Sequence, residues 1–76
     1  MLQADLDEIR ARAKCIATPE LQTMARECSD LIAELSRDYQ SYGSAARAYA
    51  HRSMTEAEQR RSLYIGELDR RRYLND

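Results

Sequence analysis

The apolar residues between Leu21 and Ala50 recur at alternating steps of four and three positions. This spacing places them on one stripe of an α-helix, which turns once in about 3.6 residues. The pattern predicts a helix over residues 19–52, which would be about 50 Å long at about 1.5 Å per residue. The stripe consists of Leu21, Ala25, Cys28, Ile32, Leu35, Tyr39, Tyr42, Ala46 and Tyr49.

A narrower apolar stripe precedes it and predicts a first helix over residues 2–17. Its members are Leu2, Leu6, Ile9, Ala13 and Ile16. Pro19 fits the first turn of a helix and disfavours helical geometry at Thr18, so a new helix should begin here with Thr18 as its N-cap. The short connection predicts an antiparallel hairpin in which the first helix packs along the early stripe of the second.

Two overlapping capping boxes occur at residues 53–58, where Ser53 precedes Glu56 and Thr55 precedes Glu58. They predict a turn near residues 53–55 and a third helix over residues 56–74. The alternative is one uninterrupted helix to the C-terminus, because apolar positions continue the long stripe. Gly43 is the weak position of the long helix, and it indicates either a kink or a closely approaching neighbour, of which we favour the neighbour.

The 76-residue chain contains two glycines and one proline, and it lacks tryptophan and phenylalanine. This composition is typical of an all-α protein with a thin core, and it predicts a single domain over residues 1–76. The expected fold is an antiparallel helical hairpin, or three-helix arrangement, around one long central helix with coiled-coil-like packing. So long a stripe on so short a chain leaves apolar surface uncovered, which predicts a homodimer.

The charges of the chain nearly cancel, since 12 basic and 13 acidic residues give a net charge of -1. No whole-chain field would therefore attract nucleic acid, which makes nucleic acid an unfavoured partner. The sequence has no run of 18 apolar residues, and its acidic first residues are unlike a secretion signal. We expect a cytoplasmic protein that does not enter a membrane.

Residue types that carry catalysis or bind metals are sparse. His51 is the single histidine and has no acid close to it in the sequence, so neither a metal site nor a catalytic triad is indicated. Cys15 and Cys28 are too few for a zinc site, and a hairpin at Thr18 would separate them by more than ~10 Å, beyond the reach of a disulfide. We expect Cys28 in the core, Cys15 as a free thiol, no enzymatic activity and no cofactor.

Tyrosine and arginine side chains are the most suggestive feature of the sequence. No acidic residue occurs between Tyr39 and Thr55, and the spacing predicts one shared helix side for Arg47, His51 and Arg52, with Arg47 stacked on Tyr42 or Tyr49. Tyrosine and arginine are both favoured at protein interfaces. The candidate partner-binding residues are Tyr39, Tyr42, Arg47, Tyr49, His51, Arg52, Arg70, Arg71 and Tyr73. The alternative is that the tyrosines only fill a core that lacks phenylalanine.

These features favour a non-enzymatic protein that binds and modulates another protein, in particular by inhibiting it. In its small size, helical pattern, arginine-rich composition and lack of catalytic motifs, the chain resembles accessory proteins that bacteriophages encode against host proteins, such as anti-quorum-sensing and anti-CRISPR proteins. That resemblance implies a regulator encoded by a phage or mobile element. Two alternatives stay open: a nucleic-acid-binding regulator that uses the arginine-rich C-terminal helix, and a structural coiled-coil adaptor built on an uninterrupted helix.

Overall fold

The computed structural model describes residues 2–75 of the chain, and the side chains of residues 2–72. Within this range the secondary structure is helical and contains no strand, which confirms the all-α prediction. Helix α1 spans Gln3–Ala13, helix α2 spans Thr18–Asp38, and helix α3 spans Ser44–Asn75. A single 3₁₀ turn, Tyr39–Ser41, connects α2 to α3.

Helix α3 is the long axis of the molecule, and both α1 and α2 pack against it. Its 32 residues correspond to about 48 Å, which matches the longest of the molecular dimensions, 47 × 25 × 15 Å. Arg71 near the end of α3 contacts Ala13 at the end of α1 and Thr18 at the start of α2. Helix α1 therefore runs parallel to α3, and α2 runs antiparallel to it. One long helix does carry two shorter ones, but it is the last helix of the chain and not the middle one.

The predicted helix over residues 19–52 is wrong because the chain reverses direction at Tyr42 and Gly43. Tyr42 has extended backbone angles, φ -84° and ψ 148°, and the carbonyl of Gly43 accepts the N–H of Arg47 as the first bond of α3. A Cβ added at Gly43 would meet nothing within 4 Å, so no neighbouring helix approaches it closely. The break lets α3 fold back, so that its apolar positions pack against α2. In a continuous helix these positions would remain in solvent.

The predicted turn at residues 53–55 is also wrong, since α3 passes through it. The Thr55 hydroxyl donates to the carbonyl oxygen of His51, four residues earlier, at 2.9 Å. This internal bond allows threonine to remain inside a helix. The capping boxes therefore lie within the helix interior and do not mark its start.

The core lies where all three helices meet. Leu21 of α2 is fully buried between Ala13 of α1 and Tyr64 of α3. Partly buried apolar side chains surround this centre: Ile9, Ile16, Met24, Ala25, Cys28 and Leu68. The α2 stripe faces inward as predicted through Tyr42, whereas Ala46 and Tyr49 of α3 are exposed because the chain has turned before them.

Beyond the three-helix core, α2 and α3 continue as a two-helix layer toward the 3₁₀ turn. Ala57 of α3 is buried where this layer begins and Ala50 is buried within it, and such small side chains let two helices approach closely. The hydroxyl of Ser36 donates to the sulfur of Met54 at 3.2 Å across the same contact. Helix α1 ends at Ala13 and not at residue 17, and it packs chiefly on α3 where the sequence had predicted α2.

Candidate protein-interaction surfaces

Six of the nine predicted partner-binding residues lie at the end of the molecule where α2 turns into α3, and we call this region the hairpin-end surface. They are Tyr39, Tyr42, Arg47, Tyr49, His51 and Arg52. The guanidinium carbon of Arg47 lies 5.9 Å from the centroid of the Tyr39 ring, and its Nη2 donates to the Gln40 carbonyl oxygen at 3.2 Å. Arg47 thus stacks on a ring, but on Tyr39 of the turn and not on Tyr42 or Tyr49, because the chain reverses between them.

Tyr49 is the most exposed tyrosine among the described side chains, with 68% of its surface open to solvent. It is uncovered because α1 is too short to reach it: Asp5 in the first turn of α1 already lies beside Glu56 of α3. Arg52, also exposed, follows Tyr49 by three residues and shares its side of the helix. The idea that tyrosines only fill the core therefore holds for Tyr64 and fails for Tyr49.

The cationic residues of the hairpin-end surface surround α3 and do not share one side. Arg47 and His51 are four residues apart and lie on one side, but Arg52 is turned about 140° from Arg47 and lies with Tyr49. Among the described residues none of these three forms an ion pair with an acid. The N-terminal end of α3 adds the positive end of its helix dipole. The hairpin end therefore presents cationic side chains without ion-pair partners beside an open ring.

The remaining predicted residues, Arg70, Arg71 and Tyr73, lie about 35 Å away along α3 and belong to a different region. Tyr73 is part of α3, but its side chain lies outside the described residues. Arg70 is half exposed, whereas the side chain of Arg71 is only 18% exposed. The structure does not bring this group together with the hairpin-end surface.

Glu67 accepts hydrogen bonds from both of these arginines, and the sequence analysis did not identify this residue. Its carboxylate is 7% exposed and accepts two bonds from Arg70, Nη2 at 2.7 Å and Nε at 2.9 Å, and one from Nε of Arg71 at 3.0 Å. The hydrogen bond from Arg70, followed by that from Arg71, lowers the pKa of Glu67 from 4.5 to about 2 against the opposing effect of burial. The i+3 and i+4 spacing is visible in the sequence, but the burial depends on where α1 ends.

Arg71 joins the two ends of the connection between α1 and α2. Its Nη2 donates to the carbonyl oxygens of Ala13 at 3.0 Å and Lys14 at 3.3 Å, and its Nη1 donates to the Thr18 hydroxyl at 3.0 Å. A guanidinium at the C-terminal end of α1 satisfies carbonyls that have no partner within the helix. The predicted N-cap, Thr18, is instead the first residue of α2, and the N-cap is Ala17, which has extended backbone angles. Arg71 therefore stabilises the fold, and little of its side-chain surface is accessible to a partner.

An apolar groove lies between α1 and α2 with α3 as its floor. One part is a cavity of about 250 Å³ lined by Met24, Cys28 and Leu31 of α2 and by Ala57 and Tyr64 of α3. A second part, of about 280 Å³, is lined by Ile9 and Ile16 of α1, again with Met24 and Tyr64. Since the two parts share Met24 and Tyr64, they form one continuous depression over the core.

The rim of this groove is acidic. Five carboxylates border it with only two arginines, which leaves a net charge of -3. These residues line the groove or the depressions that share Ile9, Met24 or Arg60 with it: Asp5, Glu8, Glu20, Glu27 and Glu56, with Arg12 and Arg60. Both arginines already pair with a rim acid four residues earlier, Arg12 with Glu8 and Arg60 with Glu56. The other three carboxylates form no ion pair among the described residues.

Reactive side chains do not assemble into a catalytic or metal-binding arrangement within the described part of the chain. His51 is exposed at the hairpin end, and no cluster of three potential metal ligands occurs among these residues. Cys15 and Cys28 are both free thiols. Burial raises the pKa of the Cys28 thiol, and burial likewise raises the pKa of Tyr64, which disfavours the nucleophilic thiolate and phenolate forms.

No protein-family model, curated protein or solved structure matches this chain. Over the described residues, none of the helices has both the length and the apolar character needed to cross a membrane.

Proposed function

We propose that this protein is a non-enzymatic interaction module that binds another protein through its hairpin-end surface and thereby modulates that protein. The observation that carries the proposal is Tyr49, which is 68% exposed beside Arg52 in a segment, residues 39–55, that contains no acidic residue. A large ring held on a rigid helix buries area at low entropic cost, and a neighbouring guanidinium adds directional hydrogen bonds. The complement is an acidic or aromatic patch on the partner.

The exposed area of the chain supports an interaction role. A compact monomer of 8.8 kDa would expose about 4,800 Å². This chain exposes 5575 Å², about 800 Å² more. That surplus is of the same order as the area that one partner contributes to an interface of standard size, about 800 Å².

The two alternative functions receive less support. A nucleic-acid-binding regulator would need free arginines near the C-terminus, yet Glu67 and the α1–α2 connection engage Arg70 and Arg71. A coiled-coil adaptor would need an uninterrupted helix, and the chain reverses at residues 39–43.

Site-specific photo-crosslinking tests the proposal. A photoreactive phenylalanine analogue replaces Tyr49 in one variant and Ile65 in a matched variant, since Ile65 is also an exposed apolar residue of α3, at 42%. In a lysate of the source organism, we expect a discrete crosslinked partner from position 49 and none from position 65. The purified partner should then bind the R52E variant at least 10-fold more weakly than the parent, because an interfacial hot spot contributes about 2 kcal/mol or more.

Helicity and melting of the R52E variant should stay at parental values, because an exposed helix charge contributes only tenths of a kcal/mol to folding. Equal crosslinking from both positions, or parental affinity of the R52E variant for the captured protein, would contradict the assignment of this surface.

A further inference from the structure

The groove between α1 and α2 has the apolar content and the dimensions of a helix-binding site. A further depression, lined by Glu20, Thr23 and Met24 of α2, adjoins the groove at Met24. Together they extend along α2 from Glu20 to Leu31, which corresponds to about 17 Å or three helical turns. Its two parts, about 250 and 280 Å³, each exceed the ~150 Å³ of an apolar cavity that accepts benzene. Each part can therefore receive a leucine or an aromatic side chain from a docked helix.

The charge of the rim selects among such helices. Helix-in-groove recognition uses apolar anchors spaced by about one turn, and the flanking charges decide which helix is accepted. Here Glu20 and Glu27 lie seven residues apart along the α2 wall, and Asp5 lies on the α1 side. All three are without ion-pair partners among the described residues. Lysine or arginine on both flanks of an incoming helix would pair with them.

We infer that this groove binds a basic amphipathic helix of a partner protein, about three turns long, with an apolar stripe between lysine or arginine flanks. A second copy of the chain is a poorer occupant. Two copies joined symmetrically through the groove would bring one rim of net charge -3 against another, and like charges placed against each other oppose association. This binding site is separate from the hairpin-end surface and does not depend on its assignment.

The probe for this inference is a synthetic 14-residue helical peptide with leucine at every third or fourth position and lysine on both flanks. Two control peptides keep its length: one carries glutamate at each lysine position, and the other carries serine at each leucine position. We expect calorimetric titration to show binding of the first peptide only. Equal binding of the lysine–leucine and lysine–serine peptides would mean charge attraction alone and would overturn the inference, as would equal binding of the glutamate peptide.

A matched pair of variants locates the peptide on the protein. Leu31 in the groove and Ile65 outside it are similarly exposed, at 39% and 42%. The L31R variant should bind the lysine–leucine peptide at least 10-fold more weakly, while the I65R variant should keep the parental affinity. Equal affinities would place the peptide elsewhere and overturn the inference. The R52E variant should bind this peptide like the parent, which separates the groove from the hairpin-end surface.

The two cysteines provide a readout within one molecule. Cys28 lines the groove, whereas Cys15 is exposed in the connection after α1. Saturating lysine–leucine peptide should slow alkylation of Cys28 by iodoacetamide at least 5-fold, measured by peptide mass spectrometry, and leave the rate at Cys15 unchanged. Unprotected Cys28 would overturn the inference. Light scattering that shows a dimer of the parent and a monomer of the L31R variant would also overturn it, because the occupant would then be a second copy.

Discussion

At the scale of single residues, Glu67 links the stability of the fold to pH. Its pKa is about 2 in the folded protein, against an ordinary value of 4.5. As the pH falls from 4.5 toward 2, the unfolded chain therefore takes up a proton that the folded protein does not. Proton uptake by the unfolded state favours unfolding, so the contribution of Glu67 is complete above pH 4.5 and is lost toward pH 2.

The E67Q variant should melt at a lower temperature than the parent at pH 7, because two guanidiniums lose their charged acceptor. Between pH 4.5 and 2 its melting temperature should change less than that of the parent, so the two curves converge. The measurement is thermal unfolding followed by circular dichroism across this range. The E58Q variant, which changes an exposed acid on the same helix, serves as the control and should run parallel to the parent. Parallel curves for E67Q would show that the carboxylate is not linked to folding.

At the scale of helices, the three-helix core and the two-helix layer should differ in stability. Leu21 is 0% exposed at the centre of the core, whereas Leu35 is only partly buried in the two-helix layer. We expect the L21A substitution to lower the free energy of unfolding by about 3 kcal/mol, a large part of the ~5–15 kcal/mol that is usual for a domain. The L35A substitution should lower the free energy of unfolding by roughly 1 kcal/mol, because folding buries less apolar area at this position.

Urea unfolding monitored by circular dichroism measures both losses on the same scale. A larger loss for L35A than for L21A would place the core in the two-helix layer.

The sequence was sufficient for the helical class and for the inward side of α2, because a spacing of three and four leaves little choice of side. It was insufficient for the reversal at Gly43. Local propensity gives that glycine a cost of about 1 kcal/mol in a continuous helix, while the burial of Ala50, Ala57 and Tyr64 against α2 depends on contacts between residues far apart in the sequence. The same limit hid the groove, since its walls come from α1 and α2 and its floor from α3. The sequence could indicate Tyr49 and Arg52 as candidates because an acid-free segment is a local property.

At the scale of the whole molecule, the flat shape has a consequence for assembly. The chain is 15 Å thick in its smallest dimension and exposes about 800 Å² more than a compact monomer would. We expect light scattering coupled to size exclusion to give twice the 8.8 kDa chain mass at micromolar concentration. A Y49A variant that became monomeric would assign the hairpin-end surface to self-association and contradict the proposed binding of another protein there. A parental chain that is monomeric with full helicity on dilution would contradict the predicted dimer.

The contacts of Arg71 also bear on how the chain is made. Its partners Ala13, Lys14 and Thr18 precede it by 53–58 residues, so they leave the peptidyl-transferase centre long before the side chain that joins them. At about 5–20 residues per second, that interval lasts roughly 3–12 s. Over that interval the connection between α1 and α2 lacks its hydrogen bonds to α3. The contacts of α1 with the end of α3 can therefore be completed only after Arg71 has been added to the chain.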